Sequence, residues 1–210
     1  NLSKSLARLS SGSKIVTPAD DSAGLAVSMN LTAQMGRNSA AMNNVANAVS
    51  FNQTQDGYLQ QVNNALGRMS ELSVQAQDVT KSDADRSLYQ QEFNTLANYV
   101  NNVSTKDFNG VSLFSGGTLN VTVDSDANTY SNTGVDLTTA TYSTLASDSI
   151  GTTGGAVTAL ADVKAAITQL ASDRANIGAN IETLNNYSNQ LSTLNNNLSA
   201  ANSQIMDVDI

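Results

Sequence analysis

Apolar residues recur along most of this chain at the three- and four-residue spacing of an amphipathic helix. After Pro18, a first stripe is formed by Leu25, Met29, Met35, Met42, Val45 and Val49, and a second by Leu59, Val62, Leu66, Met69, Ser73 and Ala76. The two runs differ by one residue in phase near Leu59, which predicts a local adjustment of the supercoil within one long helix. Tyr89, Phe93, Leu96, Val100 and Val103 continue the same spacing in a further helix. Near the C-terminus, Val163, Leu170, Ile177, Leu184, Leu191, Leu198 and Ile205 stand seven apart, and a partner set is Leu160, Ile167, Arg174, Ile181, Ser188, Asn195 and Asn202. This predicts a coiled-coil helix of about 46 residues. The partner set turns polar toward the end. A buried Asn or Ser there fixes register, and a seam that widens into solvent explains the same residues equally well.

Start and stop signals divide the pattern. Ser10-Ser11-Gly12-Ser13 ends a short helix over Leu2–Leu9. Thr17-Pro18 with Asp20 predicts a helix start with Thr17 as the cap and Pro18 at the first helical position. No proline follows Pro18, as suits long helices. Ser82-Asp83-Ala84-Asp85 is a second start. Gly36, Gly57 and Gly67 each weaken an isolated helix by about 1 kcal/mol against Ala, so packing partners must supply stability. Residues 104–157 change character: Asn109-Gly110 signals a tight hairpin, Leu119, Val121 and Val123 alternate as a strand does, and Ser, Thr, Gly and Asp dominate the rest. The expected fold is mainly α, with long antiparallel helices in a coiled-coil-like bundle and a small β-hairpin region. The expected division is 1–110, the N-terminal part of a helical core domain; 111–157, a short β/loop variable region; and 158–210, the C-terminal long helix of the same core domain.

Composition narrows the function. The 210 residues carry 10 basic and 18 acidic side chains, a formal net charge of −8, and only 13% are charged, against the usual quarter. Asn, Gln, Ser and Thr supply the polarity instead, which suits a crowded, hydrogen-bonded interface. An acidic chain this poor in Lys and Arg lacks the electrostatic footprint for nucleic acid or anionic lipid, so neither nucleic acid nor membrane is an expected partner. With no His and no Cys, imidazole and thiol nucleophiles, Ser–His triads, thiolate zinc and haem ligation are excluded. No apolar run approaches the roughly 20 residues of a bilayer-spanning helix. The chain begins at Asn1 without a signal-like segment and reaches Asp209-Ile210 with a helical pattern still running, which predicts an excised piece of a longer protein.

Candidate chemistry is thin, and no catalytic, cofactor-binding or metal-binding residue is expected. Asp124-Ser125-Asp126-Ala127-Asn128 opens like a calcium loop, yet Thr129 stands where glycine is needed and Val135 where glutamate is needed, so a solvated turn is expected. Asp20 and Asp21 diverge by about 100° on a helix, which favours capping over a catalytic pair. Gly116-Gly117 and Gly154-Gly155 have no following Lys and no helix-start context for phosphate, and the Met stripe suits a core. Asn120-Val121-Thr122 is one of the sequons expected by chance in so Asn-rich a chain. Arg68, Glu71 and Glu92 fall on helical faces outside the apolar stripes, where solubility is the ordinary role of charge.

Several collinear motifs resemble the bacterial flagellin family. They are Leu6-Ala7-Arg8-Leu9-Ser10-Ser11-Gly12, Ala19-Asp20-Asp21-Ser22-Ala23-Gly24, the run from Asn64 to Gln75, Phe108-Asn109-Gly110, Arg174-Ala175-Asn176-Ile177-Gly178-Ala179 and Asn197-Leu198-Ser199-Ala200-Ala201. The resemblance covers residues 1–114 and about 158–210. It implies a discontinuous helical core domain of a filament subunit, in the extracellular bacterial flagellum, exported without a cleaved signal peptide. It also implies a core fragment lacking both terminal segments, which is expected to stay monomeric. Two departures stand out: Ile181-Glu182-Thr183 where the family commonly has Gln-Asn-Arg, and Asn202 and Gln204 where a pair of arginines is common.

The implied function is structural: self-assembly into the motility filament through helical-domain contacts that do not close on themselves. Implied partners are other subunits, the flagellar cap and junction proteins, and a host innate flagellin receptor. In receptor-activating members an Arg and a Leu on the long N-terminal helix and a Glu on the next make that contact, and the matching positions are Arg68, Leu72 and Glu92. The alternatives are a hook–filament junction protein of the same architecture and a flagellin-like cell-surface ligand-binding protein. The second would carry a large aromatic-rich insert, and residues 111–157 hold only Phe114, Tyr130 and Tyr142.

Overall fold

The computed structural model describes residues 2–208. It is mainly α-helical, with long packed helices and a small β-hairpin region: α1 (Leu2–Ser11), α2 (Ser22–Ala76), α3 (Asp83–Val103), β1 (Asp107–Phe108), β2 (Val111–Ser112), β3 (Leu119–Thr122), β4 (Thr129–Asn132), α4 (Ala140–Ser143) and α5 (Thr153–Met206). β1 pairs with β2 and β3 with β4, each as a two-stranded sheet. Two compact units are present, and α2 and α5 contribute segments to both. The first unit comprises the chain through Asn47, Val121–Tyr130 and the chain from Leu184; the second comprises Ala48–Asn120 and Ser131–Thr183.

The first unit opens with a local motif that corrects the expected cap. Thr17–Asp20 is a turn closed by the Asp20 amide donating to the Thr17 carbonyl (2.9 Å), and α2 starts only at Ser22. The Asp20 carboxylate reaches backward to accept from the amides of Val16 (3.2 Å) and Thr17 (3.1 Å), so it cannot serve a Thr17 capping box. Asp21 takes the capping role, accepting from the Gly24 amide at 2.8 Å. Gly24 is required by space: a Cβ there would lie 2.5 Å from the Asp21 carboxylate and 2.9 Å from Ile15 Cδ1. Lys4 also pairs with Asp20. The Lys4 ammonium, ahead of the two backbone amides, holds the Asp20 carboxyl well below the usual range.

Past Gly12, the Lys14 amide donates to the Met206 carbonyl (2.6 Å) and the Val208 amide to the Gly12 carbonyl (3.1 Å). α5 therefore ends at Met206, rather than running on as the pattern implies; Asp209 and Ile210 lie outside the described residues. Advancing along α2 from Ser28 to Asn38 retreats along α5 from Asn202 to Leu191, because Ser28 Oγ donates to Asn202 Oδ1 (2.6 Å) and Asn38 Nδ2 to the Leu191 carbonyl (2.8 Å). The segments are antiparallel.

The second unit holds a continuous apolar cluster that includes Leu59, Leu66, Met69, Phe93, Phe114, Tyr142, Leu170 and Ile177. α2 turns into α3 through residues 77–82, where Ser82 and Asp85 form a reciprocal capping box. The expected Asn-Gly turn joins β1 to β2, with φ of 51° at Asn109 and 78° at Gly110. α5 begins at Thr153, so Gly154 and Gly155, expected outside a helix start, lie in its first turn. Thr152 caps that turn by accepting from the Gly155 amide (3.1 Å), and a Cβ on Gly155 would meet the Ser149 carbonyl oxygen at 2.3 Å.

The seam along α2 differs from its apolar stripe. Two sets seven residues apart are buried without interruption: Asn38, Val45, Asn52, Leu59, Leu66, Ser73 and Ala41, Ala48, Gln55, Val62, Met69, Ala76. The expected phase change near Leu59 is absent, because amides and alanines occupy the seam where the stripe follows larger residues. Met29, expected inside, is 65% exposed. In α5, Val163, Leu170, Ile177, Leu184 and Leu191 are buried as expected, and the set that accompanies them is Ala159, Ala166, Asp173 and Asn180. Leu160, Ile167 and Ile181 stand one residue further round and are half-buried.

Candidate interaction site

Arg68 on α2 and Glu92 on α3 meet because the capped turn between the helices makes them an antiparallel hairpin. Arg68 Nε donates to Glu92 Oε1 (2.7 Å) and Nη2 to Oε2 (3.1 Å), a two-pronged fork, and Nη1 donates to Glu71 Oε2 (3.0 Å). The hydrogen bonds to Glu92 and then Glu71 raise the guanidinium's pKa, and the bond from Arg68 lowers that of Glu92. Arg68 and Glu92 keep 41% and 45% of their side-chain surface exposed. Ion pairs this wet contribute about 0–1 kcal/mol to stability, so the arrangement fixes geometry more than it holds the fold. Leu72 is fully buried in the same core as Phe93. The structure thus brings Arg68, Glu71 and Glu92 together at the surface and sets Leu72 beneath them.

Arg86 was not singled out by the sequence and is buried. Its Nε donates to the Ala76 carbonyl (3.0 Å), its Nη2 to the Asp78 carbonyl (2.9 Å) and its Nη1 to Asp83 (3.1 Å). A cation thereby satisfies the orphan carbonyls at the C-terminal end of α2 and complements its dipole. Tyr142 and Asp173 form another unforeseen buried pair, the Tyr142 hydroxyl donating to Asp173 Oδ2 at 2.6 Å. Burial, and then that bond, push the Tyr142 pKa upward. Arg174, expected on the seam, instead forks onto Asp56 (2.7 and 3.1 Å) with its side chain 37% exposed.

The remaining candidates resolve into local structure. Asp124 accepts from the amides of Asp126 and Asn128 (both 2.9 Å) and from the Asn128 side chain, which lowers its pKa and occupies its oxygens within the turn. Among the described residues no three acidic side chains gather as a metal site would require. No helix among them is long and apolar enough to cross a membrane. Of the departures from the flagellin pattern, Asn202 accepts from Ser28 and Ile181 packs half-buried against the core, so both residues have intrachain roles.

Comparison with known proteins places these features. The bacterial flagellin N-terminal helical region matches residues 1–118 and the bacterial flagellin C-terminal helical region matches residues 160–210. The flagellar filament 30.7 kDa core protein of Treponema maltophilum is 32% identical, over 97% of this chain and 78% of its own length. Two solved structures show the same fold. Bacillus cereus flagellin superposes with a TM-score of 0.63 at 24% identity, covering 76% of this chain and 94% of that one. A protein assigned as flagellar hook-associated from Vibrio parahaemolyticus superposes with a TM-score of 0.77 at 15% identity, covering 90% and 100%.

These matches correct the expectation of a core fragment lacking both terminal segments. Both family helical regions are present, spanning α1–α3 and α5, and the expected monomer, which rested on their absence, falls with that reading. The chain belongs to the bacterial flagellin family: it is a structural, non-enzymatic, self-assembling subunit of the extracellular flagellar filament.

Proposed function

We propose that the surface formed by Arg68 and Glu92, supported from below by Leu72, is the contact through which a host innate flagellin receptor recognises this subunit. The observation that carries the reading is the fork of Arg68 on Glu92, which fixes an otherwise flexible guanidinium in one orientation at the surface. A pre-organised Arg loses little rotamer freedom on binding and is the residue type enriched at interface hot spots. Leu72 contributes by packing: its side chain, fully buried, holds α2 against α3 and so sets the distance between the two charges. The test is receptor signalling by the double variant Arg68→Ala, Glu92→Ala, with folding checked by circular dichroism. Potency falls if the surface is the contact; unchanged potency with intact folding contradicts it. Leu72→Ala separates the roles, because it lowers the melting temperature as well as potency.

Within the filament, the reading assigns residues 1–110 and 158–210 to one helical core domain that packs against neighbouring subunits. Residues 111–157 form a short variable region, and the cap and junction proteins are the other flagellar partners. Support comes from the buried seams of α2 and α5, which are continuous and leave long outer faces free for contacts that repeat without closing. Immuno-electron microscopy with antibody against the chain tests the assignment. Label along the whole filament supports it, and a single band at the hook overturns it in favour of a junction protein.

A further inference from the structure

Charge is distributed very unevenly over the helices. Segments 22–47 of α2 and 184–206 of α5, which belong to the first unit, contain one charged residue, Arg37. The chain-wide share of 13% would place about six there. Even Arg37 is engaged, its Nε donating to the Ser125 carbonyl at 3.1 Å. Yet much of both segments faces outward. On α5, Asn185, Asn186 and Asn196 are exposed, and Asn189, Gln190, Thr193, Leu194 and Asn197 line an open groove. On α2, Asn43 and Asn44 are exposed, as are Val27 at 47% and Met29 at 65%.

We infer that these uncharged outer faces of α2 and α5 in the first unit are the surface buried against a second copy of this chain in the filament, an inference that rests on the subunit reading above. A helical face destined for water carries mixed charge for solubility, as the helices of the second unit do with Asp56, Arg68, Glu71, Glu92, Asp162 and Lys164. A face for a foreign partner gains specificity and association rate from charge of one sign, and this face has neither sign. A second copy brings the same net charge of −8, so charges placed here would be desolvated beside a like-charged neighbour. Asn and Gln avoid that cost, and each carries a donor and an acceptor on one group, so a row of them can satisfy an identical row. The exposed Val27 and Met29 add apolar area to the same segment.

The chain has no cysteine, so single thiols report cleanly. Asn43→Cys, Asn189→Cys and, as a control in the loop before α5, Ser147→Cys are labelled with a maleimide as free chain and as filament. Labelling at 43 and 189 slows by about tenfold or more on assembly while that at 147 stays unchanged, because a packed interface excludes solvent. Equal reactivity of all three in filament and free chain overturns this interface while leaving the subunit reading intact. Failure of the unmodified chain to enter filaments overturns that reading and the inference with it. A second variant pair guards against an unlucky probe: Asn189→Lys with Thr193→Lys blocks assembly without lowering helicity. Normal assembly of that pair contradicts the proposal.

Discussion

The two units solve the same packing problem with different materials. The second unit fills its interior with large apolar and aromatic side chains, among them Phe51, Leu59, Phe93, Phe114 and Tyr142, and carries charge on its outer faces. In the first, the buried set is sparse and partly polar: Ile15, Ala41, Val45, Val121, Val123, Leu184 and Leu191, together with Ser28 and Asn38. Its outer helical faces are almost free of charge. The difference teaches that helix periodicity alone does not say where stability resides. Burying apolar area contributes about 25 cal/mol per Å², so the second unit can be stable on its own account. The first draws on amide contacts and on whatever covers its outer faces.

Core deletion gives the largest contrast. Phe93→Ala removes a fully buried ring from the second unit and is expected to cost about 3–5 kcal/mol, whereas Val45→Ala in the first costs about 1–2 kcal/mol. Urea unfolding followed by circular dichroism checks both, and equal losses would erase the distinction between the units.

Backbone close approach comes next. Gly155→Ala places a Cβ 2.3 Å from the Ser149 carbonyl, which cannot swing aside, and is expected to cost about 2–3 kcal/mol. Gly24→Ala in the first unit meets only the ends of the Asp21 and Ile15 side chains, which can move, so about 1 kcal/mol is expected. Thermal melts of the two variants rank them.

Arg86→Met keeps much of the stem but strands the Ala76 and Asp78 carbonyls, at about 1–3 kcal/mol, and frays the end of α2. Amide exchange at residues 72–76 reads that fraying directly.

The smallest effect concerns pH. Burial, and then the nearby Asp162 carboxylate, push the Asp148 carboxyl up to about 6. Its folded-state pKa lies above the unfolded value near 3.8, so the folded state binds the extra proton in that window. The contribution of Asp148 to stability therefore rises as pH falls from about 6 toward 4. Asp20 works in the opposite sense, and its contribution is lost only in strong acid, because its pKa is depressed. Asp148→Asn is expected to raise the melting temperature slightly at pH 7 and to flatten the curve between pH 4 and 6; an unchanged slope there would remove Asp148 as its source.

What the sequence made legible follows from where apolarity and burial coincide. The stripe from Leu59 to Ala76, the heptads from Val163 to Leu191, the Ser82–Asp85 box and the Asn109-Gly110 turn are all as expected, because each is decided by local chemistry or by a long apolar period. The seam at Asn38, Asn52 and Gln55 was illegible, since an amide enters a core only when the fold supplies a partner such as the Leu191 or Leu113 carbonyl. The start of α2 was misread because Asp20 had two possible uses, and the backward bonds to Val16 and Thr17 took it. At the candidate site, the outward position of Arg68 and Glu92 was visible in the pattern. The burial of Leu72 was not, because it depends on α3 covering a flank that the heptad leaves open.

Hydrogen exchange measured by mass spectrometry on free chain and on filament tests the central claim most directly. Exchange is expected to slow on assembly in the peptides that cover residues 22–47 and 184–206, where the first unit has little core of its own. Those covering 59–76 and 163–177, already protected by the apolar cluster, should change least. Assembly that leaves 22–47 and 184–206 exchanging as fast as in the free chain would contradict the account.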